Sequence, residues 1–341
     1  MPARLPERWY GPPSHRSLLE PFGWLYGALM RVRRRAYAAG IFPSQRVGCP
    51  VVIIGNLTVG GTGKTPLTLW LARALGARGI EVGLLSRGYG RSGGEVRVVQ
   101  GDSAWAEVGD EPLLLARRSG CPTVVAADRV AGARRLLQLG ARVILCDDGL
   151  QHLRLARDCE ILVIDGARGF GNGRVLPAGP LRESPAAALA GADLKVVTGA
   201  PEHASLAGAG ALLRMDLVPG DACALVPGQG GRPLAAFRGA AVHAVAGIGN
   251  PARFFRDLRA QGLNLIEHAF PDHYRLSAAD LAFGDDLPVL MTQKDAVKCE
   301  AFADVRFWYV PVEARFSEAD ARTLLQCVCG KLGDLKVAGS E

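Results

Sequence analysis

From residue 47 onward, short runs of β-branched and aliphatic residues alternate with longer stretches whose apolar positions recur every three to four residues. The short runs, at 51–55, 82–86, 123–126, 143–146, 161–165 and 195–198, have no polar face. That is the pattern of strands covered on both sides in a parallel sheet. Between them, Leu67, Trp70, Leu71, Ala74 and Leu75 fall on one face of a helix. The alternation predicts a doubly wound, mostly parallel α/β sheet. From 212 to 239 proline, glycine and short apolar pairs take over, which marks a connector with the character of a β-ribbon. Strand patterns resume at 241–246, 263–267, 288–292 and 306–310, so a second, smaller α/β domain is expected. The expected division is 1–46, 47–215 and 216–341.

The first segment has its own pattern. Leu18, Phe22, Leu25, Leu29, Val32 and Ala36 form one helical stripe, with Tyr26, Met30 and Tyr37 beside it. Ser17 and Glu20 have capping-box spacing, although Pro21 disturbs the start. The chain of 341 residues carries a net charge of +7. Residues 1–46 hold eight arginines (Arg4, Arg8, Arg16, Arg31, Arg33, Arg34, Arg35 and Arg46) against Glu7 and Glu20, so they account for nearly all of it. An almost neutral remainder argues against a nucleic-acid partner bound along a basic groove. Trp9, Trp24 and the Arg31–Arg35 cluster give the stripe an aromatic and basic rim, suited to an anionic membrane surface. The same pattern also suits a helix packed on its own domain. No run approaches the ~20 apolar residues of a spanning helix, and no secretory signal opens the chain. The eight cysteines are scattered apart from Cys327 and Cys329, a poor zinc pattern, and read as reduced cytosolic thiols.

The strongest chemical signal is GNLTVGGTGKTP at 55–66. A buried strand runs into a glycine-rich turn, and Lys64 and Thr65 open a helix. Such a turn aims consecutive N–H groups at a phosphate, with the helix N-terminus behind them. Thr58, Val59, Gly60, Gly61, Thr62, Gly63, Lys64 and Thr65 are therefore the candidate nucleotide-binding residues. Lys64 would reach the β/γ-phosphates and Thr65 would meet Mg²⁺. Thr58 stands where the usual spacing has glycine. The strand at 143–146 ends in Asp147 and Asp148, placed to hold Mg²⁺ or its water beside a phosphate loop; either acid alone also suits a turn cap. Asp110 and Glu111 precede a helix, His273 lies in a loop of the second domain, and Arg87 and Tyr89 follow a strand end.

Seven segments in this order resemble the tetraacyldisaccharide 4′-kinase family, the lipid A kinases of Gram-negative bacteria. They are the loop above, SRGYGR at 86–91, GDEP at 109–112, DDGLQH at 147–152, LPAGPLRE at 176–183, FPDHY at 270–274 and TQKDAVK at 292–298. Thr58 is also how this family's loop looks. The resemblance implies a P-loop kinase fold and ATP- and Mg²⁺-dependent phosphorylation of the 4′-hydroxyl of a tetra-acylated glucosamine disaccharide 1-phosphate. It implies Asp110 as the base, tuned by His273, with domain closure assembling the site. It adds Glu183 to Thr65, Asp147 and Asp148 as metal candidates, and gives Arg129, Gln151 and His152 to the substrate headgroup. Residues 292–295 resemble a nucleotide-base loop. The expected place is the cytoplasmic face of the bacterial inner membrane, peripherally bound. A membrane-associated switch ATPase is the alternative, but its loop carries a lysine where this chain has Val59. A GTP-dependent metallochaperone would need a Cys/His cluster that this sequence lacks.

Overall fold

The computed structural model describes residues 9–11 and 18–332. Helix α1 (Glu20–Ala38) precedes β1 (Val51–Gly55), which leads through the glycine-rich turn into α2 (Lys64–Gly76). β2 (Val82–Ser86), β3 (Arg97–Val98), α3 (Trp105–Val108), α4 (Asp110–Ser119), β4 (Thr123–Val125), α5 (Arg129–Gln138) and β5 (Val143–Asp147) follow. β6 (Cys159–Asp165), α6 (Pro185–Gly191), β7 (Leu194–Thr198) and β8 (Leu213–Pro219) complete this run. A second run holds β9 (Ala222–Ala224), β10 (Gly231–Arg232), β11 (Ala241–Ala246), α7 (Pro251–Ala260), β12 (Asn264–Ala269), β13 (Val289–Thr292), α8 (Gln293–Cys299) and β14 (Phe307–Val310). β15 (Val312–Phe316) and α9 (Glu318–Lys331) close the described chain.

Nine strands form one sheet in the order β15-β8-β7-β6-β1-β5-β2-β4-β3, parallel except at the edge strands β3 and β15. β1 sits between β5 and β6, so the crevice beyond its carboxyl end lies where the strand order reverses. Both faces of the sheet are covered. Leu67, Leu71 and Leu75 of α2 bury on one face, joined by Leu324 and Val328 of α9. Val130, Ala133 and Leu136 of α5 bury on the other. Each such large aliphatic side chain contributes about 2 kcal/mol on burial. Six strands form the second sheet, β10-β9-β14-β13-β11-β12, whose four central and edge strands β14, β13, β11 and β12 are parallel.

The units are joined by a two-stranded ribbon. β8 pairs antiparallel with β15, β9 pairs antiparallel with β14, and Gly220 donates to the Pro311 carbonyl at 2.8 Å between them. The ribbon thus has one strand from the expected connector and one returning from 307–316. This corrects the boundary expected between 215 and 216, which falls inside β8. It also moves 312–331 out of the smaller unit, because β15 and α9 complete the first sheet and its core.

The apolar stripe of α1 faces outward: Leu18, Phe22, Trp24, Leu25, Leu29 and Val32 are exposed, each by more than 60%. The opposite face packs on the protein through Gly23, whose Cβ would come within 2.9 Å of the Val175 carbonyl. Arg33 and Arg34 turn inward, a correction to the basic rim. Ser17 of the expected capping box, and Arg4, Arg8 and Arg16, lie outside the described residues. No helix among the described residues is long and apolar enough to cross a membrane. All eight cysteines are free, and none is exposed.

Candidate active site

The loop after β1 follows from its glycines. Gly60 (φ 113°) and Gly63 (φ 98°) adopt backbone angles that side-chain-bearing residues avoid. Thr58 is buried with an ordinary φ and bridges to Leu181, so the missing glycine costs this turn nothing. The Asn56 side chain, fully buried, donates to the Thr58 carbonyl at 2.8 Å and accepts from Lys64 Nζ at 3.1 Å. Lys64 also faces Asp148 Oδ1 at 3.6 Å. The second unit reaches this loop: a Cβ on Gly249 would overlap the backbone nitrogen of Gly61. Asp165 holds that approach by accepting from Asn250 and Arg253, while Arg168 donates to the Gly249 carbonyl at 3.0 Å.

A cavity of about 780 Å³ opens over the loop between the two units. Val59 through Thr65 line it, as do Asp148, Gln151, His152 and His273. Thr58, Asp110, Asp147, Arg129 and Glu183 do not. Asp148 accepts from Arg182 Nη1 at 3.0 Å. Burial pushes its carboxyl up, but Lys64 and Arg182 outweigh this and hold it well below the usual carboxylate range. Asp147 is its opposite. It is buried, and neither carboxylate oxygen has a hydrogen-bond partner. Burial, with Glu111 and Asp148 nearby, pushes it up to about 7 despite Lys64.

Such an orphaned carboxylate fits a hard cation, as does the Thr65 hydroxyl at the cavity wall. Among the described residues no three His, Cys, Asp or Glu side chains group as a metal site by themselves. Mg²⁺ at a nucleotide takes only one or two carboxylates and completes its shell with phosphate and water, so the residues fit. Glu183 is placed differently from expectation: it is committed to Arg34 at 2.7 Å and Gln151 at 3.2 Å.

Asp110 starts α4 and meets His273 across the gap between the units, Nδ1 donating to Oδ2 at 3.2 Å. His273 holds a left-handed backbone (φ 60°) and its ring lies 4.6 Å from that of Tyr89. With Nδ1–H given to Asp110, Nε2 accepts from Lys294 Nζ at 3.2 Å. Burial pushes the Asp110 carboxyl up, but His273, Lys294 and Lys298 outweigh it and lower it. Burial, with Lys294, lowers the His273 imidazole, but the Asp110 hydrogen bond and the charges of Asp110 and Asp272 together outweigh them and raise it. Lys294 also pairs with Glu111 at 3.0 Å and Asp272 at 3.1 Å.

Arg129 is buried, donates to the Ala126 carbonyl, and leaves Nε and Nη2 without partners. Burial, then Arg129 and Arg87, pull the His152 imidazole down to about 4. Residues 292–295 split: Thr292, Gln293 and Lys294 line the cavity, while Asp295 turns into the core. Sequence reasoning missed Asn56, Arg182, Lys294 and the second unit's Gly249. Arg182 and Lys294 lie inside motifs already singled out, beside the residues that were chosen.

The family model described as tetraacyldisaccharide-1-P 4′-kinase matches residues 15–329. The tetraacyldisaccharide 4′-kinase of Alkalilimnicola ehrlichii is 49% identical over 98% of this chain and 99% of its own length. That of Nitrosococcus oceani is 47% identical over 97% of both. The crystal structure of LpxK from Aquifex aeolicus, an "apo" form in complex with ATP, superposes with a TM-score of 0.75 at 28% identity. It covers 92% of this chain and 98% of that one. A phosphate loop set against a carboxylate–imidazole pair, on a chain matched almost end to end, leaves one assignment: this protein belongs to the tetraacyldisaccharide-1-P 4′-kinase family.

Proposed function

We propose that the chain transfers the γ-phosphoryl group of ATP to the 4′-hydroxyl of a tetra-acylated glucosamine disaccharide 1-phosphate, a step of lipid A biosynthesis. The observation that carries this reading is the phosphate loop sharing one cavity with His273, which is hydrogen-bonded to Asp110 behind it, in a member of this family. Lys64 and the loop N–H groups hold the phosphates and offset their charge in the transition state. The Asp110–His273 pair takes up the proton of the attacking hydroxyl as a unit, His273 being the member that lines the cavity. Thr65 and Asp147, with Asp148 alongside, would hold Mg²⁺, which when bound neutralises charge on the transferring group. Glu183 supports Gln151 on the headgroup side. The unpaired donors of Arg129, with Arg87 and neutral His152, suit the anionic headgroup. The nucleotide base is assigned to the apolar part of the cavity lining, which includes Leu69, Leu217, Ile248, Phe254 and Val312.

The outward stripe of α1 is the proposed contact with an anionic membrane, where an acylated substrate resides. Because Arg33 and Arg34 serve the site, the test keeps them. Phe22→Ser/Leu25→Ser/Leu29→Ser should weaken binding to anionic vesicles at least about tenfold, given the apolar area withdrawn from the interface. Unchanged vesicle binding removes the membrane contact. The assay for the reaction is transfer of labelled γ-phosphate from ATP to the tetra-acyl disaccharide 1-phosphate in detergent. No transfer by the purified protein overturns the proposal.

A further inference from the structure

Lys298 and Asp295 form a buried ion pair at 2.7 Å, with side chains 1% and 0% exposed, that lies outside the groups proposed to touch ATP or the disaccharide. Its surroundings are specific. Asp295 Oδ2 accepts from the Gly247 backbone N–H at 2.8 Å and from the Thr292 hydroxyl at 2.6 Å. Lys298 Nζ donates to the Tyr274 carbonyl at 3.0 Å and stands 3.9 Å from Asp110 Oδ2, the oxygen that His273 meets. The Gly247 carbonyl in turn accepts from the His273 backbone N–H at 3.3 Å. A Cβ on Gly247 would come within 2.9 Å of Asp295 Oδ1, so the strand end and the pair fit closely.

These contacts bracket His273, whose left-handed backbone persists only where the surroundings over-determine it. Gly247 holds one side and Lys298, through Tyr274, the other. A buried pair of this kind contributes little net stability over apolar residues of similar size, so its effect is the geometry it imposes. We propose that Lys298, anchored by Asp295, is a positioning residue for phosphoryl transfer. It locks the loop carrying His273 to the end of β11 and faces the shared oxygen of Asp110, so the two halves of the acceptor-side pair meet in one arrangement. Lys294, Glu111 and Asp272 complete the charged groups around the pair, joined by ion pairs in which Lys298 takes no part. The inference rests on the proposed role of Asp110 and His273.

The test is steady-state kinetics of Lys298→Met, Lys298→Arg and Asp295→Asn/Lys298→Met, each in the native and the His273→Ala backgrounds. The double change removes both charges but keeps an acceptor for Gly247, so it carries the test if the single variant fails to fold. Lys298→Met should lower kcat about a hundredfold, as a misplacement near an ångström does. KM for ATP should stay within about twofold, since the phosphate loop is untouched. Lys298→Arg should recover part of the loss. In the His273→Ala background the further loss should shrink to about threefold or less, because the group being positioned is gone. A full kcat in Lys298→Met, or an equal loss in both backgrounds, overturns the positioning role. Normal turnover of Asp110→Ala and His273→Ala overturns the acceptor-side reading as well.

Discussion

The phosphate loop and His273, with Asp110 bonded behind it, meet at one cavity but are built in opposite ways. The loop is one consecutive segment, 55–66, set by a strand and the helix after it. The pair joins residues 163 positions apart, carried by the two units. Lys64 is held by Asn56 from its own loop. Asp110 and His273 meet only while the second unit is docked. A local site tolerates small displacements of a neighbouring domain, whereas a pair split between units loses its geometry with about an ångström of opening. In the proposed reading, the hold on the phosphates therefore rests on one strand–helix junction, and phosphoryl acceptance on docking.

The comparison is tested hardest by the two residues that define it. Lys64→Ala should lower kcat about a thousandfold and weaken ATP binding, because the lysine meets charge in ground and transition states alike. Asp110→Asn should cost about a hundredfold or more in kcat and leave ATP affinity unchanged. ATP titration alongside steady-state kinetics reads both, and equal losses of ATP affinity would erase the distinction. Gly249→Ala sharpens it further. A methyl there overlaps the Gly61 nitrogen, so docking is strained while the loop's own sequence is intact. The expected cost is about tenfold in kcat/KM, or about 1.4 kcal/mol of overpacking. An unchanged kcat/KM would mean that docking is looser than the close approach implies.

The smallest effect is on stability. His152 titrates at about 4 in the folded protein against an ordinary 6.5. Between those values the unfolded chain binds the extra proton, so stability falls as pH drops from 6.5 towards 4. His152→Gln should flatten the pH dependence of the unfolding midpoint by about 2 °C, measured by thermal melts. Equal slopes for the two proteins would place the imidazole in a solvent-like setting.

The same contrast decides what could be read from sequence. β1, the glycine-rich turn and α2 are contiguous, and their signals (apolar run, glycines, Lys64 and Thr65) need no knowledge of the rest of the chain. The return of β15 to the first sheet depends on pairing with β8, a partner about a hundred positions earlier; local periodicity carries no trace of it. For α1 the 3.6-residue period establishes a stripe but not which side meets the protein. Gly23 and Gly27 supply a flat face for close packing, and the stripe is left outside. Glu183 and Asp147 look equivalent as letters. Their difference arises from Arg34, a residue about 150 positions away that occupies one and leaves the other bare.

The ribbon through Gly220 and Pro311 has a consequence for how motion is measured. Both chain crossings between the units, 219–222 and 310–312, run through it side by side, so a change in how the units sit acts on every contact across the gap. A shift of the second unit should then change the Asp110–His273 gap and the Gly61–Gly249 gap together. A label pair reporting either one tracks both, and a substitution that changes the first without the second marks a local shift of a loop rather than a swing of the whole unit.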